Sequence, residues 1–240
     1  MDAVTLTNAV SRIETLAEYV EYLLKIAKPC VDIDLVDLRV TQECSRFGGD
    51  PFVPLDFKFP PHEVGEYRFL GQINFAEIAD PPSILPESGL LTIFYAYDEE
   101  GEIFWGDDDY ILGFYWRDWQ NHTLLKLPTK NLSKARRIVL TAGINLPFND
   151  ELRDDWAFDP ELLWELVEIV DPNHEYLLGY PSFNSLAYDP TPGKEWISLL
   201  TVSSLPEFDW CWHDGDKLMV FIEADKLAKG DFSCLKSDAG

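Results

Sequence analysis

The side chains this sequence supplies most generously for chemistry are carboxylates. Asp107, Asp108 and Asp109 stand together, one glycine after the segment Glu102–Trp105. Three adjacent aspartates offer the hard oxygen ligands that Ca²⁺ and Mg²⁺ take. With Glu102 they also offer the carboxylate pair that glycoside hydrolysis uses. An acidic turn facing water explains them with neither chemistry. Asp214-Gly215-Asp216 reads as a tight turn before the strand at Leu218. Trp105, Trp116, Trp119, Trp210 and Trp212 fall near the ends of expected strands. A tryptophan face beside an aspartate suits a cation or the apolar face of a sugar. Core packing accounts for most tryptophans more simply. The candidate binding residues are therefore Gln72, Trp105, Asp107, Asp108, Asp109, Trp212, His213 and Asp214.

Other chemistries find little support. His62, His122, His174 and His213 are far apart in sequence, so no metal site is expected. Cys211 and His213 would share a face on a strand, but no third group orients them as a catalytic pair. G-x-G-x-x-G, Walker, G-x-S-x-G and H-E-x-x-H motifs are absent, and no cofactor and no catalytic residue is assigned. Cys30, Cys44, Cys211 and Cys234 form no C-x-x-C pair and read as reduced thiols, with a Cys44–Cys211 bridge left open.

Charge narrows the partners. The 19 basic and 43 acidic residues give a net charge of −24, while hydrophobic residues make up 46% of the 240. That apolar content excludes an acidic disordered chain. The charge excludes nonspecific nucleic-acid binding and adhesion to anionic membranes, which both need basic patches. It favours a basic protein or peptide as partner. No signal peptide and no membrane-length apolar run is read, so a cytoplasmic protein is expected. Oligomeric state is not legible.

The elements that must position these residues are mostly strands. Apolar spacings of three and four predict an N-terminal helix over 7–28, capped by Thr5 or Thr7 and stopped at Pro29. Strands are expected at 31–40, 67–75, 90–97, 102–105, 110–116, 122–127, 136–140, 196–202 and 217–222. The stretch 149–171 reads as acidic and helical, with Asp159 and Pro160 at a helix start. A short helix is expected over 223–229. Between the strands, Ser45–Pro61 reads as an ordered loop packed on the core, its prolines and the pair Gly48–Gly49 alternating with aromatics.

The two halves share an order of features. Gly49-Asp50-Pro51-Phe52 precedes one apolar strand pair, and Gly179-Tyr180-Pro181-Ser182-Phe183 precedes another. A one-turn helix follows a strand in each half, at Phe75–Ile78 and Asp225–Ala228. An internal repeat of 46–130 and 175–235 within one domain of 1–240 is therefore expected, with a cleft between the halves as the natural ligand site.

The same segments carry a family resemblance. They are RFGGDPFVP at Arg46–Pro54, FLGQINFAEI at Phe69–Ile78 and LPESGLLTIFY at Leu85–Tyr95. Further matches are LLGYPSF at Leu177–Phe183, WISLLTV at Trp196–Val202 and HDGDKLMVFIEADKLAKGDFS at His213–Ser233. In order and spacing the sequence resembles the YwqG-like family of bacterial proteins, a domain of unknown function. His213-Asp214 departs mildly from the Gly-Asp usual there. The resemblance implies a mainly β, roll-like fold of two similar β-rich halves sharing a core, with an N-terminal helix and, from the chain's own pattern, a mid-chain helix. It implies no reaction. Gly48, Gly49, Pro51, Pro54, Gly179 and Pro181 take backbone roles, and Gln72 can satisfy a neighbouring loop's backbone groups.

The leading functional expectation is a non-enzymatic binding protein with an acidic groove for a basic protein or peptide. A carboxylate- or metal-dependent hydrolase with a cleft between the halves is the second. A structural or stress protein without a ligand is the third.

Overall fold

A computed structural model describes residues 1–126, 133–148, 153, 155–183 and 185–240. The chain is mainly β, as expected. Ten strands form one antiparallel sheet: β1 (Lys28–Val36), β2 (Arg46–Phe47), β4 (Glu66–Asn74), β5 (Leu90–Tyr97), β6 (Ile111–Trp116), β8 (Arg136–Asn145), β9 (Tyr176–Leu178), β10 (Trp196–Ser203), β11 (Lys217–Glu223) and β12 (Leu235–Ala239). β3 (Phe52–Pro54) and β7 (His122–Leu124) make a separate pair. The order across the sheet is β12-β11-β10-β9-β1-β8-β2-β4-β5-β6. The roll curls until its edges meet. A Cβ on Gly113 of β6 would lie 2.7 Å from a Leu235 methyl carbon of β12. The result is a nearly closed barrel.

The pairing reads alike from either edge. β1 and β8 lie antiparallel at the centre, and each is followed by a short strand that pairs with the other. Arg46 faces Gln72 as Tyr176 faces Thr201, and Phe47 faces Gly71 as Leu177 faces Leu200. A bulge falls between Phe69 and Gly71 in β4 and between Ser198 and Leu200 in β10. Leu70 and Leu199, the extra residues, are both fully buried. One backbone bond closes the β4–β5 connection, Phe75 N–H to Gly89 O at 3.0 Å. Its match closes the β10–β11 connection, Ser204 N–H to Asp216 O at 2.9 Å.

Inside, alternate residues fill the barrel: Val31 and Ile33 of β1, Ile93 of β5, Ile138 of β8 and Val220 of β11. β5 is apolar on both faces because Phe57 and Phe59, in the loop after β3, cover its outer side against Phe94. Gly71 is where β2 presses on β4. A Cβ there would stand 2.6 Å from Phe47 Cδ1 and 2.7 Å from Arg46 O. Gly71→Ala is thus expected to destabilise the fold by about 1–3 kcal/mol through overpacking. Urea unfolding of the two proteins measures this, and an unchanged midpoint would contradict the packing described.

Several expectations need correction. The N-terminal segment is not one helix over 7–28. α1 spans Ala3–Val10 and α2 spans Val20–Ile26, with turns between them. Asp2, not Thr5 or Thr7, is the cap, accepting from Thr5 N–H at 2.7 Å. The Thr7 and Ser11 hydroxyls instead bond back to Ala3 O and Thr7 O, a habit that weakens continued helix. Pro29 lies inside β1. The mid-chain helix is α3 (Leu162–Val170), which packs with α1 and α2 around Leu6, Leu16, Leu23 and Leu166. Part of the stretch 149–171 lies outside the described residues. Glu102–Trp105 is turn rather than strand, because Asp98 accepts the N–H groups of Glu102 and Ile103. β12 had no expectation. One-turn helices lie at Phe75–Glu77 and Pro206–Phe208, and Ala224–Ala228 forms α4 after β11.

Candidate functional site

The concavities among the described residues include the following three. The first is a groove of about 460 Å³ beside the start of β4 and the end of β5. Val64, Gly65, Glu66 and Arg68 form one side, and Tyr97, Asp98, Glu99, Glu100 and Glu102 the other. Register creates it, since Glu66 pairs with Tyr97 and Arg68 with Tyr95. Gly65 permits the close approach, as a Cβ there would stand 2.1 Å from Tyr97 O. Five carboxylates meet one cation, and that cation is engaged. Arg68 Nε donates to Glu66 Oε1 at 3.1 Å, and its guanidinium lies 3.2 Å from the Tyr97 ring centre. The Glu102 N–H bonds Asp98 and holds its carboxyl below the usual range. Gly101, at φ 71°, lets the tip turn.

Asp109 supports this groove from outside. Its carbonyl accepts from Tyr67 Oη at 2.7 Å, and its carboxylate lies 3.5 Å from His62 Nε2. His62 Nδ1 in turn accepts from the backbone N–H of Val64 and of Gly65, at 3.2 and 3.1 Å. Asp107 caps its own turn by accepting from Phe104 N–H at 3.0 Å, and Asp108 approaches Lys236 at 3.5 Å. The three aspartates thus have three separate partners. Among the described residues no His, Cys, Asp and Glu group is arranged to hold a metal ion.

Trp105, Trp212, His213 and Asp214 do come together. The Trp105 and His213 rings meet edge to face at 5.5 Å, and Trp212 meets Tyr95 at 5.1 Å. His213 Nδ1 lies 3.5 Å from Asp216 and 3.6 Å from Asp214. Trp212 is buried, while Asp214 is exposed.

Gln72 stands apart, on the outer face of β4. Its Nε2 donates to Gln42 O and Cys44 O, both at 2.9 Å. Asn74 Nδ2 donates to Glu43 O at 3.0 Å. Arg46, which has no role in the sequence reading, completes the set. Its Nη1 donates to Gln42 O at 2.6 Å and its Nη2 to Asp50 O at 2.7 Å. Arg46 is 1% exposed, and burial pushes its guanidinium down to about 10, still charged at neutral pH. These side chains clamp the loop over 41–50 to the barrel. Gly48 and Gly49 leave β2 with positive φ, Pro54 ends β3, and Pro51 O accepts from Leu125 N–H. Gly179 also has positive φ, and Pro181 lines the second concavity.

That second concavity holds about 70 Å³ between α3 and β9. Lys217 Nζ lies 3.1 Å from Ser182 Oγ on its wall. Burial lowers the Lys217 pKa, against the pull of Glu175 and Asp216. A lysine beside a serine is the start of a nucleophile and base. The space beside it, however, admits only a few waters, each with a share of about 30 Å³. The third concavity, of about 320 Å³, lies between Pro82–Ile84 and Leu178–Gly179 and is largely apolar.

All four cysteines are unpaired, so Cys44 and Cys211 form no bridge. Burial, followed by Asp32, pushes the Cys30 thiol up to about 12. The native protein is expected to react quickly with a thiol reagent at exposed Cys211, and at buried Cys30 and Cys44 only on unfolding. Peptide mapping after labelling checks this, and prompt labelling of Cys30 would contradict it.

No helix among the described residues is long and apolar enough to cross a membrane. A comparison with curated proteins finds no match. One family does match, described as "Domain of unknown function (DUF1963)", over residues 45–236. That span takes in every barrel strand but β1 and reaches into β12, leaving out α1 and α2. The chain belongs to this family of unknown function.

Proposed function

We propose that this is a non-enzymatic, cytoplasmic binding protein that holds a lysine- or arginine-rich segment of a partner in the groove between β4 and β5. One observation carries the reading: Glu66, Asp98, Glu99, Glu100 and Glu102 line a single concavity whose lone cation, Arg68, is already paired. A cationic side chain entering there also meets the Tyr97 face. Exposed ion pairs contribute only about 0.2–1 kcal/mol each. A handful gives a weak, fast complex, with a Kd of roughly 0.1–1 mM for a short peptide. The protein's negative field raises the association rate. Within the family, we assign the chain to the YwqG-like members, on the motifs at Arg46–Pro54 and Phe69–Ile78. We also take the halves 46–130 and 175–235 as copies of one unit within a single domain, a reading supported by the matching bulges and closing bonds.

Calorimetric titration with hexalysine at two salt concentrations tests the function. The Debye length falls from about 8 Å at 0.15 M to about 3 Å at 1 M. Binding is expected at the lower concentration and should vanish at the higher. Heat that is independent of salt, or absent in both, would refute the reading.

A further inference from the structure

The sheet contains two places where a very short strand lies between long ones. β2 has two residues between β8 and β4, and β9 has three between β1 and β10. Past each short strand its neighbours have no strand between them, which leaves a notch at the barrel end. The chain leaves both strands through two consecutive residues of positive φ: Gly48 and Gly49 at 64° and 76°, Leu178 and Gly179 at 61° and 74°. Both turns are pinned to the neighbouring chain, Gly49 N–H to Ser133 O just before β8 at 2.9 Å and Gly179 N–H to Pro29 O in β1 at 3.2 Å.

The notch past β2 is filled by the chain itself. Phe208 carbons stand 2.9 and 3.0 Å from where a Gly48 Cβ would be. Phe208 stacks on Trp210 at 4.5 Å, and both rings meet Phe47 edge-on. They come from the β10–β11 connection. The notch past β9 receives the corresponding β4–β5 connection, none of whose aromatic residues lines it. It contributes Pro82, Ser83 and Ile84 instead. Leu178, standing where the other notch has Gly48, takes up part of the room. About 320 Å³ remains, walled chiefly by Pro29, Pro82, Ile84, Leu178 and Ile197.

We infer that this second notch binds a free small aromatic molecule of one or two rings. The filled notch shows what fits between these strands: stacked aromatic rings. Apolar cavities in proteins take up benzene-sized molecules. The volume sits at the low end of the roughly 300–1,000 Å³ typical of small-molecule pockets. Nine residues line it, against about 20–30 a side for a stable protein interface, which argues for a small molecule over a protein surface. Ser198, also on the wall, has a buried hydroxyl without a partner among the described residues. This site is remote in kind from the acidic groove and does not depend on it.

The test uses 5-fluoroindole followed by fluorine NMR on the full chain, with methyl spectra locating the contact. Saturable one-to-one binding below about 1 mM is expected, with shifts at the Ile84, Leu178 and Ile197 methyls. Ile84→Trp fills the notch as Phe208 and Trp210 fill the other, and should weaken binding at least tenfold while keeping the native spectrum. Ile84→Phe repeats that arm should the larger ring perturb folding. Non-saturating signal, shifts elsewhere, or undiminished binding in the filled variant that folds would overturn the site. Hexalysine binding stays unchanged in these variants, so failure here is distinguishable from failure of the groove.

Discussion

Arg46→Met is expected to lower the unfolding midpoint by about 5–15 °C, from a loss of roughly 2–4 kcal/mol. The guanidinium is sealed under the loop over 41–50, and each end bonds a backbone carbonyl, Gln42 O and Asp50 O. Methionine keeps much of the volume but donates nothing, so Asp50 O loses the Arg46 bond and Gln42 O keeps only the one from Gln72 Nε2. An unpaired buried polar group costs about 1–3 kcal/mol. Removing the buried charge returns part of that, which sets the upper bound. Arg46→Lys should fall between the two, because one ammonium cannot span both carbonyls. Thermal unfolding followed by circular dichroism measures it. A midpoint within 2 °C or so of the parent would mean that the loop does not depend on this clamp.

Neutralising the groove is the second large effect. Glu66→Gln, Glu99→Gln, Glu100→Gln and Glu102→Gln together remove four of its five negative charges without changing side-chain length. At about 0.2–1 kcal/mol per pair, losing four should weaken hexalysine binding by about fourfold to several-hundredfold. The control places the same number of neutral residues on and beside α3, at Glu161, Glu165, Glu168 and Asp171. Both variants move net charge equally, so only a localised site separates them. Equal loss in both would reduce the effect to the overall charge of −24.

Much of this fold can be read along the chain. Alternating apolar residues mark β1, and the doubly apolar run at Leu90–Tyr97 reads as a central strand, whereas β5 lies between β4 and the edge strand β6. β12 escaped notice because Leu235, Ser237 and Ala239 present one buried large apolar side chain among two small ones. Its Ser237 is held by a bond to Trp105 O, a contact 132 residues away in sequence. The N-terminal helix misled for a related reason. The apolar spacing continues across Ile13 and Leu16, but those residues are buried from turns, where burial needs no helical period.

The candidate sites divide in the same way. The acidic tip at 98–102 is plain in sequence, and the Gly101 turn with it. Glu66, Arg68 and Tyr97, which make the tip into a groove, are joined by strand register and have no local signature. Asp109 reads from sequence as a metal-ligand candidate, and in the structure its carboxylate lies beside His62. Gln72 reads as a side chain that satisfies a neighbouring loop's backbone groups, and it donates to two of that loop's carbonyls. Arg46 was within a recognised motif, yet a buried arginine without a carboxylate partner cannot be told from a surface one by type alone.

The central claim is a location: cationic peptide in the groove between β4 and β5. Backbone amide shifts recorded during a hexalysine titration test it most directly. Perturbations concentrated at residues 64–68 and 97–102 are the predicted result. The largest shifts on α3, or small ones spread evenly over the acidic surface, would contradict it.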